Sequence, residues 1–548
     1  MTKSTKIILL CAAAAVAIAL GGEIFKTVRF RRFCESTDAM KTRIDTVRSF
    51  RTQARRGDIL DCKGNVLATI DTVYSVYFDA TVSGDSLLSE SLPSLSTGLS
   101  EILRDKTPEG YFEYLRDGRS NKRRYMKICE NAGRSTLDSL KSLPLFNLTP
   151  NKGGIILETM FKRVYPYGPL ARRTIGLVRN NSELENNHIG IEGSFNKVLS
   201  GVDGYEVIKD RHIRLPFGKV MHIHKTMKDV KPENGEDVTV MLDVELQATA
   251  DSLLRAGIEG NENIKGACLV LVSTNDGAVR TMVNLTRDSD GDIGEYYNVS
   301  IGYGYEPGRI IAPATALAAA KCNSSVSLEC LDFTHRDVLR DIAGMCNPSA
   351  YCDSLKTMLQ GGYSFSHLEL DGLARLQMTT PDDNYWSINT LGSIANGYSV
   401  KAPAFRWLGL YTAIARKGEG IAMRLTDAPA YNYRLCTKKQ ADSITESLKA
   451  ASAKLLTEMA YEMAGVFGSS FITHPHGGYA DANGHRAVQS SYAGFFPADK
   501  PAFSIICMAY TDFAADSRSA NEITKKVVRE FVGSDIVATR VREVYNQK

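Results

Sequence analysis

Apolar and polar positions alternate through Arg56-Gly57-Asp58-Ile59-Leu60-Asp61-Cys62-Lys63-Gly64-Asn65-Val66-Leu67-Ala68, and the Lys-Gly-Asn turn at the centre predicts a β-hairpin. The polar connector before it, to about residue 50, has helix-like spacing, as do residues from about 85 to 145, rich in Leu, Ser, Lys and Arg. Arg163-Val164-Tyr165-Pro166-Tyr167-Gly168 punctuates a loop. Gly190-Ile191-Glu192-Gly193-Ser194-Phe195 and Leu199-Ser200-Gly201-Val202-Asp203-Gly204 then mark backbone that turns tightly or approaches closely. Near residue 235 the texture changes. Asp237 to Leu242 reads as a strand, Val244 to Ala256 as an amphipathic helix, and Gly266 to Val272 as a buried strand turning at Asn275-Asp276-Gly277 into Ala278 to Val283. A second strand pair, Ser490 to Pro497 and Phe503 to Ala509, precedes a helix from Ser519 to Phe531. Strands at both ends of a mostly helical middle predict an α+β domain with one sheet assembled from remote parts of the chain.

The first residues carry a different pattern. Lys3 and Lys6 precede an apolar run from Ile7 to Phe25, interrupted by Gly21, Gly22 and Glu23. This predicts a cytoplasmic tail over 1–6 and a transmembrane signal-anchor over 7–25, although the Ala-rich run also fits a cleaved signal peptide. Lys26, Arg29, Arg31 and Arg32 follow the run, so the positive-inside rule does not itself favour export of the bulk. No later stretch is long and apolar enough to span. The chain has 548 residues, 43% hydrophobic and 23% charged, enough for two or three domains with sizeable cores. A net charge of +4 gives no field that argues for nucleic acid as a partner. The 11 cysteines form no C-x-x-C pair and are expected to be small core residues, with Cys322/Cys330 and Cys346/Cys352 near enough in sequence to bridge in an oxidising compartment.

Taken in order, these segments resemble the class B penicillin-binding proteins, the D,D-transpeptidases that cross-link peptidoglycan. The stretch from Arg56 to Ala68 resembles the opening of the family's pedestal domain. Tyr165-Pro166, Gly190-Ile191-Glu192-Gly193 and Leu199, Gly201 and Gly204 resemble its later signatures. Asp237 to Asp243 with Glu245-Leu246-Gln247 resembles the start of the transpeptidase domain, and Asp276-Gly277 to Met282 and Ser393 to Pro403 resemble segments within it. The resemblance covers residues from about 50 to 530. It implies an α+β chain with an N-terminal membrane anchor, an elongated dimerisation-type pedestal over 45–230, and a C-terminal transpeptidase-like domain of the serine β-lactamase type over 236–548.

The family's chemistry rests on S-x-x-K, S-x-N and K-T-G. In the first, the serine starts a helix and the lysine one turn on accepts the hydroxyl proton. Here the frame reads Tyr305-Glu306-Pro307-Gly308-Arg309-Ile310-Ile311-Ala312-Pro313. Arg309 stands at the serine position, and a guanidinium is neither nucleophile nor base. Ala312 stands for the lysine. The second motif aligns with Asp337 to Gly344, giving Ile342 and Gly344 for serine and asparagine. The third aligns with Ala464 to Ser469, giving Val466 and Phe467 for lysine and threonine while Gly468 and Ser469 remain. No K-[ST]-G occurs, so no catalytic residue is expected to be intact.

Other matches have plainer readings. Ser194-Phe195-Asn196-Lys197 has the letters of S-x-x-K but lies within the pedestal signature, and Ser387-Ile388-Asn389 has those of S-x-N outside the family's position for it. His474, His476, His485 and Asp481 read as a solvated loop ahead of a metal site, and Lys122, Arg123 and Arg124 as a solvated helix face. Tyr296, Tyr297, Tyr303 and Tyr305 read as packing near the old cleft.

The resemblance implies a penicillin-binding-protein homologue in peptidoglycan synthesis, acting without catalysis as a scaffold or regulator of a division or elongation complex. The alternative is a residual D,D-transpeptidase, or a binder of stem peptides or β-lactams in a remodelled cleft. No cofactor or metal is implied. The partners implied are a SEDS-type membrane glycosyltransferase, other cell-wall synthesis proteins and peptidoglycan stem peptides. The implied location is the bacterial inner membrane, single-pass, with the bulk of the chain extracytoplasmic.

Overall fold

The computed structural model describes residues 45–178, 189–214, 220–360, 370, 372–474, 478–513 and 518–546. The expected anchor at 7–25 lies outside them, and among the described residues no helix is long and apolar enough to cross a membrane. Two compact units are present: the described part of Met1–Ala54 with Val202–Asn234, and Arg55–Gly201 with Gly235–Lys548.

In the first unit the strand Gly204–Arg214 lies between Asp45–Thr52 and Val220–Val230, antiparallel to both. The connector read as helix-like is therefore a strand from Asp45 onward, each residue to Thr52 finding a cross-strand partner from Arg211 back to Gly204. A remote strand partner overrides local spacing here. Asp203 closes the unit, accepting from Arg51 Nε at 2.5 Å and from the Ala54 amide at 2.7 Å.

The second unit begins with the expected hairpin, Ile59–Leu60 against Val66–Phe78. Asp61 makes its turn: Oδ1 accepts from the Lys63 and Asn65 amides, each at 2.8 Å, and Gly64 takes φ +85°. The long strand Val66–Phe78 also pairs with Met126–Ala132 and Ile155–Val164. Helices Asp85–Leu103, Pro108–Ser120 and Arg134–Lys141 occupy the region read as helical, and bury Leu95, Leu99, Tyr111, Leu115 and Leu140 against Val76, Phe78 and Ile128. The cluster Lys122, Arg123 and Arg124 is exposed as expected, but in the turn after a helix and not on a helix face.

The pedestal motifs meet in one buried ion cluster. Glu192, fully enclosed, accepts from Arg56 Nε at 2.8 Å and Nη2 at 2.6 Å, and from Arg163 Nε at 2.6 Å. Arg163 Nη1 also donates to the Gly57 carbonyl at 2.7 Å. Ile59–Leu60 runs parallel to Val238–Thr239, joining this region to the C-terminal part of the same unit.

That part consists, in chain order, of α1 (Val244–Glu259), β1 (Ile264–Ser273), β2 (Val279–Arg287), β3 (Ile293–Gly294), α2 (Ala312–Cys322), α3 (Arg336–Gly344), α4 (Ala404–Ala415), α5 (Lys438–Ala453), β4 (Ala464–Phe471), β5 (Val488–Phe496), β6 (Phe503–Thr511), α6 (Ser519–Val532) and α7 (Asp535–Asn546), with shorter elements between. The sheet runs β3-β2-β1-β6-β5-β4, so the strands nearest its centre come from opposite ends of the domain, as the pattern predicts. Alternation along β1 and β6 supplies two cores: Leu269, Leu271, Ile505 and Cys507 pack with α1 and α6, and Val270, Val272, Ile506 and Met508 with α2 and α4. Asp243 caps α1, accepting from the Glu245 and Leu246 amides, and Gln247 exchanges both hydrogen bonds with the Met282 backbone at 2.9 and 2.8 Å. Cys322, Cys330, Cys346 and Cys352 are all free thiols, so neither sequence-adjacent pair bridges.

Candidate active-site cleft

The residues before α2 are held by backbone contacts. Tyr305 forms a bridge to Ala402, and the buried Glu306 receives the Ser399 amide on Oε1 at 3.0 Å and the Ser470 hydroxyl on its carbonyl at 2.6 Å. Burial raises the Glu306 carboxyl above its usual range, against the opposing pull of the Ser399 amide and the Lys401 charge. Gly308 takes φ +56° and donates to the Gly397 carbonyl at 3.2 Å. A Cβ at Gly397 would lie 2.0 Å from the Gly308 carbonyl oxygen, and one at Gly468 would lie 2.3 Å from that of Pro307. Three segments distant in sequence thus meet at van der Waals distance of their main chains, which only glycine permits.

This junction sets Arg309, in the 3₁₀ turn Gly308–Ile311, at the head of α2. It lines a cleft of about 180 Å³ together with Arg336, Asn396, Tyr398, Leu455, Phe467, Gly468, Ser469, Asn521 and Lys525. Of the residues expected at the site, the structure brings together Arg309, Phe467 and Gly468. Ala312 is fully enclosed in the core, as is Val466, whose side chain takes the opposite face of β4 from Phe467. Ile342 packs against the main core, and Gly344 ends α3 beside a neighbouring groove that also contains Asn389. Neither lines the cleft with Arg309.

The cleft is cationic. Arg336 starts α3 and donates to the Tyr398 hydroxyl at 3.3 Å, and the Lys525 ammonium lies 5.8 Å from the centre of the Phe467 ring. Partial burial, and then the charge of Arg336, lowers the affinity of the Arg309 guanidinium for its proton. Ser469 supplies a hydroxyl, but it is exposed on β4 and no hydrogen bond joins it to a base among the described residues. Arg336, Asn396, Tyr398, Leu455, Asn521 and Lys525 were not singled out from the sequence. Asn521 and Lys525 stand four apart on the predicted helix 519–531, a spacing that puts both on one face.

The remaining candidates lie elsewhere. Ser194 ends one short helix and Lys197 stands in the next, and neither lines the cleft. Ser387 Oγ pairs with Thr390 Oγ1 at 3.0 Å. Asp481 accepts from the Asn483 and His485 amides as an ordinary loop turn, His474 meets the edge of Phe513, and His476 lies outside the described residues. Among the described residues no group of three side chains could hold a metal ion. Tyr303 and Tyr305 stack, with ring centroids 6.4 Å apart, whereas Tyr296 and Tyr297 are about half exposed and lay their rings beside Gly294 and Gly302.

The family described as "Penicillin-binding Protein dimerisation domain" matches residues 51–240. The chain is 24% identical over 405 residues to the probable peptidoglycan D,D-transpeptidase PenA of Neisseria gonorrhoeae, a match that covers 68% of this chain and 65% of that protein. It is 30% identical over 142 residues to the peptidoglycan D,D-transpeptidase MrdA of Escherichia coli K12, covering 22% of this chain and 21% of the relative. Penicillin Binding Protein 2X from Streptococcus thermophilus superposes with a TM-score of 0.64 at 15% identity, covering 90% of this chain and 82% of the other. The penicillin-binding protein PBP2 of Helicobacter pylori, solved in complex with MreC, gives a TM-score of 0.63 at 15% identity, over 92% and 99% of the two chains. The chain is a penicillin-binding-protein homologue, related by sequence to the peptidoglycan D,D-transpeptidases and carrying their dimerisation domain.

Proposed function

We propose that the chain works in peptidoglycan synthesis as a non-catalytic partner within a cell-wall complex. The observation that carries this reading is the head of α2: Arg309 faces the cleft where the family resemblance puts a nucleophilic serine, and Ala312 is an enclosed methyl where it puts the base. Val466 and Phe467 likewise supply no cation from β4. In this reading the protein is anchored in the bacterial inner membrane by residues 7–25, with its bulk outside the cytoplasm. It binds a SEDS-type glycosyltransferase or another envelope protein through the anchor and pedestal. The Helicobacter pylori PBP2 was solved with MreC, a precedent for a protein partner in a chain of this fold.

The test is covalent labelling of the purified full chain with a fluorescent penicillin, alongside co-purification from its native membrane. The expected result is no stoichiometric adduct and recovery of a membrane glycosyltransferase or other cell-wall protein. An adduct located by mass spectrometry on Ser469, the one serine among the described residues lining the cleft, would overturn the non-catalytic reading.

A further inference from the structure

We propose that the cleft headed by Arg309 is an anion-binding site, in which Arg309, Arg336 and Lys525 converge on one compact oxyanion, a carboxylate or a phosphate. Three cationic side chains from three separate elements line one cavity, and among the described residues no carboxylate lines it. The acidic residue nearest in influence, Asp332, is already engaged by Lys454 Nζ at 2.8 Å and by the Thr334 hydroxyl at 2.6 Å. Arg336 has a neutral phenol as its hydrogen-bond partner within the cleft. Like charges gathered in a partly desolvated cavity repel, and an anion converts that repulsion into charge-assisted hydrogen bonds.

The other lining groups fit the same occupant. Asn521 accepts the Ser490 hydroxyl on Oδ1 at 2.5 Å, which leaves its amide hydrogens for the cleft. Ser469 adds a hydroxyl donor. Asn396, buried in the wall, has an Oδ1 with no donor, able to receive the proton of a monohydrogen phosphate or an N–H beside a carboxylate. The volume of about 180 Å³ is well under the roughly 300–1,000 Å³ of pockets that enclose drug-sized ligands, so the site takes a single compact group. The inference stands on the lining residues and not on the scaffold reading, since a cation cluster binds anions whether or not the chain has a catalytic partner.

The experiment is calorimetric titration of the purified full chain, in detergent and at low chloride, with inorganic phosphate and with N-acetylglycine, using N-acetylglycinamide as the uncharged control. At least one anion is expected to bind and the amide not, with the tighter of the two naming the source of the oxyanion. Arg309→Ala and Lys525→Ala should each weaken binding about 10- to 100-fold, and Arg309→Lys by less. Lys122→Ala, in the exposed turn after the helix Pro108–Ser120 and outside the residues that line the cleft, should bind as the parent does. Circular dichroism identifies any variant that fails to fold; for such a variant, Arg309→Gln replaces alanine. Absence of binding by both anions, or equal binding by parent and cleft variants, would overturn the proposal, the latter as an adventitious ion only.

Discussion

Replacing Glu192 by glutamine should be among the most damaging single changes in the chain. The substitution keeps shape and removes one charge. Glu192 is fully enclosed, and its carboxylate is shared by Arg56 and Arg163, whose side chains retain only 11% and 7% of their exposure. Each guanidinium keeps a neutral acceptor: Asn196 Oδ1 at 2.7 Å for Arg56 and the Gly57 carbonyl at 2.7 Å for Arg163. Neither keeps a counter-charge. Breaking a buried pair by removing one partner costs about 3–5 kcal/mol, a large share of a typical 5–15 kcal/mol domain stability. The melting temperature should fall by on the order of 5–10 °C. Differential scanning calorimetry of the purified protein measures this. The triple variant Arg56→Met, Glu192→Leu, Arg163→Met should recover much of the loss, because exchanging the entire cluster for apolar groups strands no charge. A Glu192→Gln protein within about 0.5 kcal/mol of the parent would refute the argument, since that is the range of an ordinary surface change.

Four further outcomes follow from the geometry. Gly468→Ala should destabilise by about 1–3 kcal/mol in urea titrations, because its methyl would meet the Pro307 carbonyl oxygen at 2.3 Å, and Gly397→Ala should do at least as much at φ +82°. Arg309→Ala should leave stability within about 1 kcal/mol of the parent, or raise it at low salt, since it relieves repulsion from Arg336. Restoring Arg309→Ser with Ala312→Lys should not restore cross-linking of peptidoglycan substrates and should lower the melting temperature, because an ammonium would enter a fully enclosed position. Burial opposes ionisation of Asp243, but the hydrogen bond and charge of Arg540, with Lys63, hold its carboxyl below the usual range. With a depressed folded value, its contribution is fully present above the unfolded value of about 3.9 and is lost as pH falls through the folded one. Urea midpoints from about pH 5 downward should therefore fall less steeply in an Arg540→Met variant, and an unchanged acid slope would contradict this assignment.

The elements legible in the sequence were those whose burial pattern is local. The hairpin at Ile59 declares itself through a turn residue and alternation, α1 through its cap and amphipathic face, and β1, β2, β5 and β6 through runs of apolar residues. The strand Asp45–Thr52 was missed because its partner is the remote Gly204–Arg214. The strand Met126–Ala132 was hidden between helices, and β4 was read as a motif frame without a strand signal. Its first five residues are buried in an unbroken run, so no polar alternation marks it there. At the cleft, motif order found the lining residues Arg309, Phe467 and Gly468. Arg336 and Lys525 are not visible in the sequence because they stand on ordinary polar helix positions, and only the tertiary fold brings them to the cleft that Arg309 lines.

The same cleft separates two demands that a motif combines. A side chain in a catalytic motif is required by chemistry, whereas the glycine beside it is required by packing. Gly308, Gly397 and Gly468 sit where main chains touch, and a methyl at any of them would meet backbone at 2.0–2.6 Å. The glycines are thus needed to close β4 onto the head of α2 whatever reaction the cleft performs, and their presence is no argument for activity. Arg309 and Lys525 are under no such constraint: both line the cleft, and neither belongs to a buried core cluster. A chain can therefore exchange the nucleophile for a cation without disturbing the junction beneath it. If that is what separates this cleft from a transpeptidase's, a Gly468→Ala change should lower stability and anion binding together, whereas Arg309→Ala should lower anion binding alone. Parallel titration and melting of the two variants tests this, and a Gly468→Ala protein that melts like its parent would show that the glycines are not held by packing.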